Sequence, residues 1–155
     1  MLSKKEEMEF IEYMIDNKPL EEKVSQLSER PDDILALQEF IAYLVASENA
    51  QKGLILGVES TSDMPKGKLS LFKQQQLGMP YVATSDKKRY SMIFTSQDSF
   101  GLFPELHGCV YFVKEMIHAL AEKDSVDGIV VNYESENEIY LSKEQLIIAD
   151  LYLYY

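Results

Sequence analysis

The feature that most narrows the possible folds is a change of hydrophobic period near residue 50. Up to that point apolar residues recur every third or fourth position. Beyond it they come in short runs, many of them β-branched, separated by turn residues. The first pattern makes helices with one apolar face, and the second makes strands. Met8, Ile11, Met14 and Ile15 mark a first helix. Ser3 and Glu6 open it with the spacing of a capping box, and Asn17-Lys18-Pro19 ends it. Leu20, Val24 and Leu27 form a second, shorter helix. Pro31 stands where a third would begin, with Asp32 and Asp33 in its first turn, where the positive end of the helix dipole favours carboxylates. Its stripe is Ile34, Leu37, Phe40, Ile41, Leu44 and Val45, and it ends near Asn49.

The rest of the chain reads as short strands with helices between them. Residues 54–58, 69–73, 80–84, 90–95, 129–132 and 139–141 supply the apolar runs, and Pro65 marks a loop over 60–67. Ser96 to Ser99 has the small oxygen-bearing side chains of a helix start or tight turn. Val110, Val113, Met116, Ile117 and Leu120 predict a helix over roughly 110–123. Ser142 and Gln145 form a second capping box, ahead of a final helix carrying Leu146, Ile147, Ile148, Leu151 and Leu153. Short strands interleaved with helices predict an α+β fold. We expect a small mixed or antiparallel sheet with packed helices over 51–155, and a helical extension, residues 1–50, packed on it.

Charge and composition exclude several functions. The 26 acidic and 15 basic residues leave a net charge of −11. Residues 1–50 hold 12 acidic and 5 basic groups, 51–104 hold 4 and 7, and 105–155 hold 10 and 3. Two acidic ends thus flank a weakly basic centre. Phosphate contacts need clustered Lys and Arg, so nucleic acid is not expected as a partner. Lys66, Lys68, Lys73, Lys87, Lys88 and Arg89, with Phe72, Tyr81 and Tyr90, form too thin a basic-aromatic set to reverse that expectation. No uncharged apolar stretch is long enough to span a bilayer, and the acidic, periodic N-terminus lacks a signal-peptide pattern. Cys109, the single cysteine, has no internal disulfide partner and suits a reducing cytoplasm.

Three motifs in order carry a resemblance. Met92-Ile93-Phe94-Thr95-Ser96 is similar to an "FTS" strand end. Asp127-Gly128-Ile129-Val130-Val131-Asn132 is similar to a "DG-I-x-V-N" strand, and Ile139-Tyr140-Leu141-Ser142 with Glu144 and Leu146 follows at the usual distance. Together they resemble the SseB-type N-terminal domain family over about residues 54–150. The family often places Pro after the Asn, where this chain has Tyr133. The resemblance implies a compact α+β domain in a bacterial cytoplasm and supplies no settled activity.

No catalytic constellation is complete. His107, Cys109 and His118 are the nucleophile-and-base types close in sequence, but no orienting third group is evident, and His118 falls on a charged strip with Glu115 and Glu122. Cys109 reads as a small buried residue. Two His and one Cys do not build a zinc cage, and Glu134, Glu136 and Glu138 lack a calcium-loop pattern, so we expect no metal and no cofactor. Ser70 and Lys73 match S-x-x-K, but strand alternation turns them to opposite faces.

Two contact surfaces rank higher. If the two matched strands are neighbours, Phe94, Thr95, Ser96 and Asn132 meet at one sheet end, where small ligands often bind, and capping and turn-forming roles explain them at least as well. The end of the chain, with Tyr152, Tyr154 and Tyr155, is apolar around most of a helical turn. Docking on its own sheet is the favoured reading, and a partner or a second copy of the chain is the other. These features favour a non-catalytic domain that binds a protein or small ligand. The alternative is an acidic neutraliser of a basic protein, of the immunity or anti-toxin kind.

Overall fold

The structure, a computed structural model, describes residues 2–72 and 78–154, with side chains as far as Tyr152. Three helices lead: α1 (Lys4–Ile15), α2 (Lys18–Glu29) and α3 (Ile34–Leu44). Then come β1 (Gly53–Glu59), β2 (Leu69–Leu71), β3 (Tyr81–Ala83), β4 (Arg89–Phe94), α4 (Gln97–Phe100) and β5 (Leu106–Phe112). α5 (Val113–Glu122), β6 (Gly128–Val131), β7 (Ile139–Ser142) and α6 (Lys143–Tyr154) complete the chain. The described strands form one mixed sheet in the order β2-β5-β1-β4-β6-β7, with β3 also paired to β4. β2–β5 and β4–β6 run parallel, and the other pairs are antiparallel. The fold is α+β, with an N-terminal helical segment.

Local chemistry sets the helix starts. Ser3 and Glu6 make the reciprocal capping box of α1. Asn17 is the N-cap of α2 and accepts from the Leu20 N–H, so Asn17-Lys18-Pro19 begins a helix as well as ending one. Asp33, not Pro31, starts α3: its carboxylate accepts from the N–H groups of Leu35 and Ala36, and Ile34 and Leu35 are exposed rather than part of the buried stripe. That helix stops at Leu44, and a short 3₁₀ turn, Ser47–Asn49, follows. Ser142 and Gln145 exchange the bonds of the second box.

The sheet is buried on both faces. One face holds Ile11, Met14 and Ile15 of α1 against Ile55, Phe94, Val110 and Val130. The other holds α2, α3, α5 and α6 through residues such as Leu20, Phe40, Met116 and Leu146. Each such side chain contributes about 1.5–3 kcal/mol on leaving water, so residues 1–50 supply a large part of both cores.

The predicted helix from 110 is corrected. Val110 lies in β5, a strand next to β1, and the helix begins at Val113. The junction has no Gly, Pro or side-chain cap; the Val113 N–H reaches the Lys52 carbonyl instead. Without a breaker, strand and helix read as one apolar run. β5 also fits its neighbours closely at Gly108: a Cβ there would stand 2.5 Å from Leu69 Cδ2 and 2.7 Å from Ile55 Cγ2.

Candidate functional site

β4 and β6 are neighbours, and their ends do meet. Because β4 and β6 pair in parallel, Asn132 follows β6 beside Thr95, which follows β4. The Thr95 N–H donates to Asn132 Oδ1 at 3.0 Å, and Asn132 Nδ2 donates to Thr95 Oγ1 at 2.9 Å. Asn132 has φ +56, a left-handed conformation that Asn tolerates better than most residues, and its own N–H reaches the Ile93 carbonyl. Thr95 and Asn132 are buried, and Phe94 is fully enclosed against Phe100 and Phe103. Three of the four expected contact residues therefore hold one another and the core. Tyr133 follows in the turn, and its ring stacks on Phe103.

Ser96 differs, because it is only half-buried. It caps α4 and lines a groove of about 330 Å³ with Glu12, Asp16, Lys18, Glu21 and Gln97. Burial raises the Glu21 carboxyl above its ordinary range, Ser96 offsets this through a hydrogen bond, and Asp98 and Asp16 raise it further. The groove is acidic, yet no group of His, Cys, Asp and Glu able to hold a metal ion occurs among the described residues.

The buried histidine has a defined tautomer. His107 Nδ1 lies 2.8 Å from the Pro65 carbonyl oxygen, which can only accept, so Nδ1 carries the proton. Nε2 lies 2.7 Å from the Ser70 hydroxyl oxygen, within hydrogen-bond reach. Strand pairing places Ser70 opposite Cys109. Burial pushes the Cys109 thiol up to about 11, with Ser70 offsetting part of the rise. A thiol held protonated is the reverse of an activated nucleophile. Lys73 of the S-x-x-K match lies outside the described residues.

His118 has the orienting partner that the sequence concealed. Its Nδ1 stands 3.1 Å from Asp150 Oδ1, on α6, and its Nε2 stands 3.4 Å from Glu122 Oε2, one helical turn along α5. The charged strip is thus a seam joining two helices as well as a wet surface. Beside it Phe72 and Tyr111 stack at 4.1 Å between ring centres and wall a groove of about 300 Å³. The basic set is divided: Lys66 and Lys68 precede β2, whereas Lys87 and Lys88 sit in the β3–β4 turn, and β5 and β1 lie between β2 and β4.

The C-terminal helix departs most from the favoured expectation. Leu146 and Ala149 dock on the core, but Ile147, Ile148, Leu151 and Tyr152 are between 43 % and 63 % exposed. Pairs four residues apart, 147 with 151 and 148 with 152, form one outward strip. Tyr154 and Tyr155 lie outside the described side chains. α6 packs along α5 and also touches α3. Those three helices carry Glu39, Glu115, Glu122, Glu144 and Asp150 against Lys114 and Lys143. Lys143 is turned to the Leu120 and Lys123 carbonyls. Periodicity alone does not locate this strip, since residues 146–153 are apolar at every position except Asp150.

No family model matches the chain, and no match is found among the curated proteins or the solved structures. No helix among the described residues is long and apolar enough to cross a membrane.

Proposed function

We propose that this chain is a non-catalytic, SseB-like cytoplasmic domain that works by docking a protein partner on the outer strip of α6. The observation that carries the reading is Ile147, Ile148, Leu151 and Tyr152 standing side by side in solvent. Four large apolar side chains on one helix face make a contiguous patch of the kind that interfaces use, with an aromatic at its end. Burial of Phe94, Thr95 and Asn132 favours α6 over the sheet end as the contact surface, and the elevated Cys109 thiol supports a role without bond-making chemistry.

The test is the size of the complex formed in cells. Tagged chain expressed at native level is expected to migrate well above its monomer mass, and Ile148→Ser/Leu151→Ser to migrate as the monomer. An unchanged distribution in a folded double variant overturns the reading.

A further inference from the structure

We infer that the partner presents a basic amphipathic helix, which lays its apolar side chains on the α6 strip and directs its Lys or Arg side chains to the carboxylates of α6 and of its neighbours α5 and α3; the inference rests on the docking reading above. Charge complementarity identifies the occupant. Glu115 and Glu122 on α5, Glu39 on α3 and Glu144 at the start of α6 are all exposed. Lys143, one of the two ammonium groups of these helices, is already directed to backbone carbonyls. An apolar strip on a helix group that carries five carboxylates (Glu39, Glu115, Glu122, Glu144 and Asp150) against Lys114 and Lys143 favours a ligand that is apolar along its centre and cationic along its sides. A second copy would bring the same carboxylates together, on a chain whose net charge is −11. An anionic membrane surface meets the same repulsion.

The experiment uses the full chain and two synthetic amphipathic helical peptides with the same Leu face, one with Lys and one with Glu on its polar positions. Fluorescence anisotropy is expected to show the Lys peptide binding at least about tenfold more tightly than the Glu peptide, and weakening at least about tenfold from 50 to 300 mM salt. Ile148→Ser/Leu151→Ser is expected to remove binding, and Glu115→Gln/Glu122→Gln to weaken it several-fold. Equal binding of both peptides, still lost in the Ser variant, overturns the charge assignment and leaves the docking reading standing. Lys-peptide binding unaffected by the Ser variant overturns the assignment of the strip as its seat. Binding of neither peptide overturns the inference, while the size of the cellular complex continues to judge the docking reading. A wild-type dimer in sedimentation that Leu151→Ser abolishes, or capture of the chain by phosphatidylglycerol vesicles, replaces the occupant and overturns it too.

Discussion

Asn132→Ala separates a structural role for the β4–β6 end from a ligand-binding one. Two losses add. The Thr95 N–H, buried and donating to Asn132 Oδ1 at 3.0 Å, loses its acceptor, and an unpaired buried donor costs about 1–3 kcal/mol. Alanine must also hold φ +56, a left-handed conformation that costs roughly 1–2 kcal/mol. The expected destabilisation is therefore about 2–5 kcal/mol, a large share of the stability of an ordinary domain. Asn132→Gly loses the same hydrogen bonds but not the backbone fit, and is expected to recover about 1 kcal/mol relative to Ala. Equilibrium urea unfolding measures both, from the shift in midpoint at unchanged slope. An alanine variant within about 0.5 kcal/mol of wild type, or a glycine variant no more stable than alanine, refutes the reasoning.

Other outcomes follow from the same geometry. Ser91 Oγ is fully buried with no partner among the described residues, so Ser91→Ala is expected to raise stability by about 1 kcal/mol in thermal or urea unfolding. Gly108→Ala forces a methyl group against Leu69 and Ile55 and is expected to cost about 1–3 kcal/mol, read the same way. The Cys109 thiol is pushed up to about 11 and the Tyr111 hydroxyl is also raised, both by burial first. The folded state therefore holds protons that the unfolded state releases. The stability they contribute is complete below the ordinary thiol range and falls as pH rises towards 11. Cys109→Ala is expected to flatten part of that alkaline loss, and an identical pH profile would contradict the assignment. Ile148→Ser/Leu151→Ser, by contrast, is expected to stay within about 0.5 kcal/mol of wild type per site in urea unfolding, because neither side chain is buried.

What the residues revealed depended on whether the deciding signal was local. Ser3 with Glu6 and Ser142 with Gln145 announced their helices, because a cap is a short-range hydrogen bond. The β6 and β7 runs and their acidic turn were legible for the same reason. β5 was not, since it passes into α5 at Phe112–Val113 with no breaker and its identity comes from β1 beside it. The His118–Asp150 contact joins residues 32 positions apart and leaves no local pattern. The meeting of Thr95 with Asn132 follows only once β4 and β6 are adjacent, which the residues alone leave open, and its closure depends on what packs over the strand end. Likewise the outward strip of α6 is decided by which side of the apolar 146–153 stretch, interrupted at Asp150, the core leaves uncovered.

The central claim is that α6 works as a docking surface. Photo-crosslinking in cells tests it most directly, with benzoylphenylalanine placed at Leu151 and, as a control, at Lys87 in the β3–β4 turn. The account predicts one discrete crosslinked protein at 151, carrying a basic amphipathic segment at the point of attachment, and none at 87. Equal, diffuse crosslinking at both positions would contradict it.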